Sequence, residues 1–169
     1  MFVPELHWVT ELEPHRLALV AAPRGGEWLA EEVAAWHTAR VSTILSLLEP
    51  FEVRELELEL ESSSCEALGL QFLSFPIPDH GIPASAPALS ALVARLVSQL
   101  RGGAVAAIHC RAGIGRTGLV AGCVLHQFGV PFENIFPALG RARGVRVPDT
   151  PEQVEWVRRF ARESSSNAL

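Results

Sequence analysis

The chain has 169 residues, 49% of them hydrophobic and 20% charged, which is typical of one globular domain. All 14 basic residues are arginines, so sites that need an amine, such as a Walker A phosphate loop or a Schiff-base lysine, are excluded. A formal charge of -5 also argues against a nucleic-acid partner, because such binding depends on neutralising phosphates.

The cysteines and the hydropathy pattern indicate where the protein works. No apolar run is long enough to predict a membrane span, and the first residues lack the basic segment of an export signal. Three cysteines, Cys65, Cys110 and Cys123, cannot all pair, so we expect a reducing, cytoplasmic compartment. Cys123 lies in an apolar run and is expected to be a buried hydrophobe, whereas Cys65 is more typical of a lone exposed thiol. We expect a monomer without stable membrane insertion.

Apolar patterns in the first half predict alternating strands and helices. Short apolar runs predict strands at residues 6–9, 17–21, 41–48 and 70–77. Apolar side chains from Trp28 to Trp36 follow helical spacing. The segment RELELELE, residues 54–61, is ambiguous, because a period of two fits a strand while Glu and Leu favour a helix; we prefer a helix.

The second half predicts one strand followed by helices. An amphipathic helix is expected from Leu89 to Leu100, and a central strand at residues 104–108. Further helices are predicted at residues 118–128, 132–141 (with a kink at Pro137) and 150–164. Strands alternating with helices, then helices alone, predict an α/β sheet with a helical cap on one side.

The segment IHCRAGIGRTG, residues 108–118, lies between the predicted central strand and the next helix. Gly113, Gly115 and Gly118 match a dinucleotide-binding pattern, but that pattern follows the first strand of a βαβ unit and needs a later acidic residue. The nearby cysteines and histidines match no standard zinc spacing, so no metal or cofactor is expected. A plain turn does not explain so many reactive residues among glycines.

The loop is better interpreted as an anion cradle that contains a nucleophile. Between Cys110 and Arg116 stand Arg111, Ala112, Gly113, Ile114 and Gly115, whose backbone N–H groups can surround one anion. A helix that begins near Arg116 adds the positive end of its dipole, and such surroundings stabilise a thiolate. The fork of Arg116 can bind two phosphoryl oxygens, Thr117 can place its hydroxyl near the sulfur, and His109 is expected to brace the loop.

The sequence HCRAGIGRTG resembles the signature of the cysteine-based protein tyrosine phosphatases, His-Cys-x5-Arg-Ser/Thr. From Leu6 to Phe160 the chain is most similar to the small atypical dual-specificity phosphatases, with a Trp-Val pair near the start and a Thr-x-x-Gln near the end. The resemblance implies a single phosphatase catalytic domain over residues 1–169, with a mostly parallel sheet flanked by helices on both sides. It also implies hydrolysis of phosphomonoesters through a cysteinyl-phosphate intermediate.

The implied mechanism needs an acid to protonate the departing oxygen. The chain has only two aspartates: Asp79 lies in a Pro- and Gly-rich loop where the family's acid loop belongs, and Asp149 is interpreted as a helix cap. Gln153 matches a glutamine that orients water in tyrosine-specific relatives. Glu49 is equally compatible with bracing Arg116 and with an ordinary surface position. By the same resemblance, the second cysteine of some relatives leaves a redox role for Cys65 open.

The class of substrate is predicted from residues that the loop contains and from a residue type that the chain lacks. The chain contains no tyrosine, which the resemblance links to a shallow, dual-specificity pocket. Arg111 adds a basic residue to the loop, as in phosphoinositide-directed relatives, but Ile114 occupies the loop centre. We therefore rank phosphoprotein, especially phosphotyrosine, above inositol phosphates and phosphoinositides. A phosphoprotein-binding module without catalysis is the other alternative, and no nucleic-acid partner is expected.

Overall fold

The computed structural model describes residues 2–167. Seven α-helices and five strands alternate before helices dominate the last third of these residues. Short 3-10 turns cover Thr10–Leu12 and Gly26–Trp28. The strands and helices, in chain order, are β1 (His7–Trp8), β2 (Arg16–Val20), α1 (Leu29–Thr38), β3 (Thr43–Ser46), α2 (Pro50–Glu55), α3 (Glu61–Ala67), β4 (Gln71–Ser74), α4 (Ala86–Arg101), β5 (Val105–His109), α5 (Gly115–Gln127), α6 (Phe132–Arg143) and α7 (Pro151–Ser166).

The five strands form one sheet in the order β1-β2-β5-β3-β4. Only β1 runs antiparallel to its neighbour, and the other pairs are parallel. The last residue of β5, His109, lies opposite Val20 of β2 and Ser46 of β3. Because parallel strands end at the same sheet edge, the segment after β5 emerges between the carboxyl ends of two neighbours, where open α/β sheets bind ligands.

Helices cover both faces of the sheet. On one face, Val33 and Trp36 of α1 and Cys65 of α3 pack on the sheet residue Ile44 in one apolar cluster. The larger cluster on the other face includes the buried side of α4 and residues of α5, α6 and α7. The prediction of an α/β fold with a mostly parallel sheet flanked by helices on both sides is confirmed.

The boundaries and one segment differ from the prediction. The predicted strands at residues 41–48 and 70–77 are shorter, as β3 and β4, and α5 begins at Gly115, before the predicted residue 118. The helix α6 contains Pro137, as predicted, and ends at Arg143, two residues after the predicted end. Residues 54–61 form neither a strand nor one helix: α2 ends at Glu55, a turn with Glu57 at φ 55° buries Leu58, and α3 begins afterwards.

The expected exposure of Cys65 is wrong, because this thiol is fully buried between α3 and the sheet. Burial raises the pKa of Cys65 to about 12, and the carboxylates of Glu61 and Glu66 contribute to that increase. Cys110 lies in the apolar cluster on the opposite face, so the structure gives no support to a redox pairing of these two residues. Cys123 is buried in α5, as expected. No helix within residues 2–167 has the length and apolar character required to cross a membrane.

Candidate active site

Contacts with residues that follow β2 and with α6 fix the loop between β5 and α5. Gly113 has φ 71°, and a Cβ built there would lie 2.2 Å from the backbone oxygen of Val20, so only glycine fits. The Ala22 N–H donates to the Arg111 carbonyl oxygen at 3.0 Å, and Arg143 donates to the Ala112 carbonyl oxygen at 3.0 Å. These contacts use the carbonyl groups of the loop and fix its curvature.

The N–H groups of the loop have no such partners. Within residues 2–167, the backbone N–H groups of residues 111–115 donate to no protein acceptor. The loop leads directly into the N-terminus of α5 at Gly115, where the helix dipole favours negative charge. A tight segment with unpaired N–H groups at a helix N-terminus is a ready binding site for a phosphate-like anion.

Cys110 lies at the start of this loop with 2% of its surface exposed. The hydroxyl of Thr117, in the first turn of α5, donates to Cys110 Sγ at 3.1 Å. A hydrogen bond to sulfur stabilises the thiolate, the form of cysteine that acts as a nucleophile. The structure thus brings Thr117 to the sulfur as predicted from the sequence.

Arg116 is 1% exposed and is fixed by Glu52, by the Ile77 carbonyl oxygen and by Asp79. Its Nη1 and Nη2 donate to the two carboxylate oxygens of Glu52 at 2.7 and 3.0 Å, and Nη1 also donates to the Ile77 carbonyl oxygen at 3.0 Å. Burial alone lowers the pKa of Arg116, but the hydrogen bonds to Glu52 and the charges of Cys110 and Asp79 outweigh it and raise the pKa above its ordinary value. The guanidinium is therefore a fixed cation beside the loop.

Glu52, the partner of Arg116, was missed by the sequence reasoning. Glu49, which the sequence made equally compatible with bracing Arg116 and with a surface position, is the N-cap of α2, and its backbone N–H donates to Glu52. Burial raises the pKa of Glu52, but the hydrogen bonds from Arg116, the Glu49 N–H and Arg111 outweigh it and hold the pKa below its ordinary value. The spacing of Glu49 and Glu52 around Pro50 matches a helix capping box, which marks the start of α2 but gives no sign of an ion pair with Arg116.

Asp79 lies within hydrogen-bond distance of Arg116. Its Oδ1 accepts from Arg116 Nη2 at 3.0 Å, while 41% of the side chain is exposed to solvent. The loop that contains Asp79 therefore lies next to the segment between β5 and α5. His80, which follows Asp79, has a side chain that is 69% exposed.

The second aspartate also reaches the site. Asp149 was expected to cap a helix, but Thr150 is the N-cap of α7, because its hydroxyl accepts from the Gln153 N–H. The carboxylate of Asp149 lies against the loop instead: a Cβ at Gly115 would be 2.2 Å from Asp149 Oδ2. Asp79 therefore lies at Arg116 and Asp149 at Gly115, and His80 lies 3.7 Å from each of the two carboxylates.

Gln153 is completely buried, and both ends of its amide are engaged. Its Oε1 accepts from the N–H groups of Asp149 and Thr150, and its Nε2 donates to the Gly81 carbonyl oxygen at 3.1 Å. The side chain thus connects α7 with the acid loop. Orientation of a water molecule by Gln153 stays a prediction.

Arg111 points to α2, where acidic residues compensate its charge. It donates to Glu55 at 2.8 Å and to Glu52 at 3.4 Å, and its side chain is 39% exposed. The hydrogen bond to Glu55 contributes most to raising the pKa of Arg111. Ile114 is the half-buried residue directly before α5.

His109 lies behind the loop and is fully buried. Its Nδ1 is 3.2 Å from the carbonyl oxygen of Cys110, and its Nε2 is 2.8 Å from Oε1 of Glu61. His109 thus contacts the loop at Cys110, and its bracing role stays a prediction. Its other partner, Glu61, belongs to the segment 54–61, for which the sequence was ambiguous. Among the described residues, no three His, Cys, Asp or Glu side chains form a cluster that could hold a metal ion.

Residues 20–130 match the model of one protein family, described as polymorphic toxin system, DSP-PTPase phosphatase. This match covers more than half of the chain and includes the whole of the loop described above. The chain belongs to this family. It is a cysteine-based phosphatase of the dual-specificity type, as its signature suggested. A search of the curated proteins found no match.

Solved structures of phosphatases share the fold over nearly the whole chain. Kinase associated phosphatase, with its catalytic cysteine changed to serine, superposes with a TM-score of 0.87 at 18% identity, covering 98% of both chains. PTPMT1 in complex with PI(5)P gives 0.78 at 19% identity, covering 97% of this chain and 99% of that one. Tk-PTP in its active form gives 0.76 at 24% identity, with coverages of 95% and 99%. At these identities the likeness establishes the fold of the phosphatase alone.

Proposed function

We propose that this phosphatase hydrolyses phosphoproteins, phosphotyrosine foremost, within one catalytic domain and through a cysteinyl-phosphate intermediate. The observation that carries the proposal is the Cys110 sulfur, which accepts a hydrogen bond from Thr117 at the start of a loop whose N–H groups have no protein acceptor. Arg116 lies buried beside it, and Asp79 is in contact with Arg116.

In the first step, the Cys110 thiolate attacks phosphorus and the ester oxygen departs. Negative charge that develops on the phosphoryl oxygens is stabilised by the loop N–H groups and by Arg116, whose fork suits phosphate. The Asp79 carboxylic acid donates its proton to the departing oxygen, which leaves as an alcohol or phenol. The products of this step are the phosphocysteine and the Asp79 carboxylate.

In the second step, water attacks the phosphocysteine while Asp79 takes its proton. The phosphorus–sulfur bond breaks and the thiolate of Cys110 is restored, with inorganic phosphate as the product. The Thr117 hydroxyl, 3.1 Å from Sγ, stabilises the departing sulfur. Because Asp79 bonds to Arg116 in the structure, it must leave Nη2 when the phosphate takes that donor.

The charge of Arg111 supports a phosphoprotein over a polyanionic substrate. An inositol phosphate with several phosphates needs unpaired cations around the loop, whereas Arg111 already pairs with Glu55 and Glu52. Outside the loop, Asp79 and Asp149 add negative charge to the rim.

A phosphoinositide is the second candidate, and one observation favours it. The Arg111 side chain is 39% exposed, so it could exchange its acidic partners for a second phosphate. The solved structure of PTPMT1, which contains PI(5)P, belongs to a relative with the same fold. A comparison of substrates is needed to choose between the two.

The decisive experiment compares the wild-type protein with Cys110→Ser on p-nitrophenyl phosphate. The wild type is expected to release phosphate and to become trapped as phosphocysteine on rapid acid quench. Cys110→Ser is expected to show no turnover while still binding tungstate, because the loop N–H groups and Arg116 remain. Turnover by the serine variant, or none by the wild type, contradicts the assignment; tungstate binding without wild-type turnover identifies a binding module.

The substrate class is tested by phosphate release from phosphotyrosine peptides, phosphoserine peptides, soluble inositol phosphates and phosphoinositide vesicles. We expect the highest kcat/KM on phosphotyrosine peptides. Arg111→Gln serves as the matched variant, since it should change inositol phosphate hydrolysis far more than peptide hydrolysis if Arg111 binds a second phosphate. A preference of the wild type for phosphoinositides would replace the proposed substrate.

A further inference from the structure

Gln153 of α7 is a fully buried amide that the two chemical steps above do not use. Its Oε1 accepts from the N–H groups of Asp149 and Thr150 at 3.1 and 3.2 Å. Its Nε2 donates to the carbonyl oxygen of Gly81 at 3.1 Å. The two ends are chemically distinct, because two N–H donors require the amide oxygen and a carbonyl group requires the amide nitrogen. The side chain therefore joins the start of α7 to the loop that contains Asp79.

The Asp79 loop, residues 78–84, has few other polar contacts. The Gly81 N–H donates to the Pro78 carbonyl oxygen at 2.8 Å, which closes a tight turn around Asp79. Within residues 2–167, the bond from Gln153 is the only hydrogen bond that the part of this loop after Asp79 forms with another part of the chain. The end of the turn therefore depends on Gln153 for its polar anchoring.

The start of the same loop is anchored at the site itself. The Ile77 carbonyl oxygen, directly before the loop, accepts from Arg116 Nη1 at 3.0 Å. Asp79 thus lies between two backbone anchors, one bonded to Arg116 and the other to Gln153. With the backbone fixed on both sides, the Asp79 carboxyl group can turn from Arg116 to the departing oxygen by rotation about its own side-chain bonds.

A third contact to the loop is weaker. His80 lies 3.7 Å from the Asp149 carboxylate, beyond hydrogen-bond distance, and 69% of its side chain is exposed. Exposed pairs of this kind contribute little free energy. The His80 contact therefore does not replace the buried bond of Gln153.

The resemblance assigned Gln153 to the orientation of water, but its contacts favour a different role. Oε1 has two lone pairs, and the N–H groups of Asp149 and Thr150 use both. To accept a hydrogen bond from water, the amide would have to release the backbone at the start of α7. Nε2 lies over the loop between β5 and α5, since a Cβ at Gly115 would be 3.1 Å from it. The amide is thus placed to hold the Asp79 loop beside the loop that binds the anion.

We propose that Gln153 is a positioning residue that holds the Asp79 loop beside Arg116 through the Gly81 carbonyl oxygen, which keeps Asp79 in place to protonate the departing oxygen. The inference rests on the proposed role of Asp79 as the acid of the first step. Gln153 acts through the backbone of Gly81, and it orients no water in the second step. A displacement of about 1 Å in a catalytic group can lower a rate about 100-fold, so a single anchor of this kind has a measurable effect.

The test replaces Gln153 by glutamate, which keeps an oxygen for the two N–H groups at the start of α7 but puts a second acceptor against the Gly81 carbonyl oxygen. kcat/KM is measured on phenyl phosphate, whose leaving group needs a proton, and on 2,4-dinitrophenyl phosphate, whose leaving group does not. In Gln153→Glu we expect kcat/KM on phenyl phosphate to fall roughly tenfold, part of the factor of about 100 or more that an acid contributes. kcat/KM on the dinitrophenyl ester should match the wild type.

Two control variants separate positioning from stability. Gln127→Glu makes the same chemical change at an exposed residue of α5, and Thr150→Val removes the hydroxyl that caps α7 while the amide of Gln153 stays. Both should keep the wild-type ratio of the two kcat/KM values, whatever their Tm. The proposal is overturned if Gln153→Glu keeps the wild-type kcat/KM on phenyl phosphate, if it loses both activities equally, or if Thr150→Val shows the same selective loss.

Rapid acid quench during turnover of phenyl phosphate distinguishes the two roles of Gln153. A misplaced acid slows the formation of phosphocysteine, so Gln153→Glu should contain less of it than the wild type at steady state. kcat/KM reports only the steps up to the release of phenol, so a defect in the attack of water leaves it unchanged. Accumulation of phosphocysteine with unchanged kcat/KM would show that Gln153 acts on water, and would overturn the proposal.

A second measurement does not depend on whether the variants fold. In a crystal structure of the wild type with orthovanadate bound in the loop between β5 and α5, we expect Nε2 of Gln153 within hydrogen-bond distance of the Gly81 carbonyl oxygen. An amide turned to a vanadate oxygen overturns the proposal. Wild-type protein that keeps this bond with vanadate but hydrolyses no aryl phosphate would refute the proposed function alone. Normal hydrolysis without the bond, or without the selective loss in Gln153→Glu, would refute the role of Gln153 alone.

Discussion

Replacement of Glu52 by glutamine tests whether one buried carboxylate organises the site. Glu52 is completely buried, and its two oxygens accept from both Nη atoms of Arg116, from the Glu49 N–H at 2.9 Å and from Arg111 at 3.4 Å. Glutamine keeps the size and one acceptor but removes the charge. Arg116 would then be a buried cation whose remaining partners are the Ile77 carbonyl oxygen and Asp79.

The contacts of Arg116 indicate how much stability and activity the Glu52→Gln protein should lose. Removing one member of a buried ion pair costs about 3–5 kcal/mol. Because Arg116 retains two partners, we expect the lower end, about 3 kcal/mol, which corresponds to a decrease in Tm of roughly 6–12 °C. The protein should stay folded, since domains are stable by about 5–15 kcal/mol. Loss of the orientation of Arg116 should lower kcat/KM roughly 100-fold, the equivalent of about 2.7 kcal/mol.

The lowered pKa of Glu52 also predicts how the stability of the protein depends on pH. The pKa of Glu52 is lower in the folded protein than its ordinary value of 4.5, so the folded state binds fewer protons than the unfolded chain. Its contribution is therefore complete above the unfolded value and decreases as the pH falls through the folded value. The difference in unfolding free energy between the wild type and Glu52→Gln should consequently be largest near pH 7 and smaller near pH 3.

Urea unfolding at these two pH values and kcat/KM on p-nitrophenyl phosphate check the expectation. Glu55→Gln is the matched control, because within residues 2–167 the Glu55 carboxylate bonds only to the partly exposed Arg111, and the substitution should cost about 0–1 kcal/mol. A Glu52→Gln protein within 1 kcal/mol of wild type, or a loss of activity equal to that of the control, would refute the argument that Glu52 fixes Arg116.

Three further expectations follow from the site. Arg116→Lys should lower kcat on aryl phosphates by about 100-fold or more, since an ammonium cannot form the two-pronged contact; near wild-type kcat contradicts that role. Asp79→Asn should flatten the basic limb of the pH–rate profile and Asp149→Asn should leave it; the reverse result would transfer the acid role to Asp149. Iodoacetamide should modify a single thiol per native chain, because burial raises the pKa values of Cys65 and Cys123; rapid labelling of either contradicts their burial.

The fold could be predicted to the extent that it depends on local patterns. The apolar run that became β5 and the spacing of apolar residues in α4 specify buried elements by composition alone. Their ends depend on other parts of the chain. The strand β3, for example, ends at Ser46, although the apolar residues Leu47 and Leu48 continue the pattern into the turn before α2. Such boundaries depend on tertiary contacts, so they cannot be predicted from a short stretch of sequence.

The site, too, could be predicted only where its residues are close together in the sequence. Cys110, Arg116 and Thr117 stand within one loop and the first turn of a helix, so their spacing alone brought them together. Asp149 was set aside because its neighbours suggested a cap, yet Thr150 performs that role and frees the Asp149 carboxylate to face Gly115. Here a correct local signal, a helix start after a proline, was assigned to the wrong residue by one position.

The burial and pairing of Glu52 and Glu61 could not be predicted from neighbouring residues, because each carboxylate bonds to a residue far along the chain. Sequence positions 52–61 contain five glutamates, and nothing local distinguishes the two that are fully buried from the others. What distinguishes them is a hydrogen-bond partner that β5 and α5 supply: Arg116 for Glu52 and His109 for Glu61. A buried arginine in a phosphate loop requires a buried acid, so the search should start from the cation and ask which nearby segment can supply one. In this chain that reasoning leads to the segment between β3 and β4, where α2 contains Glu52 and α3 begins at Glu61.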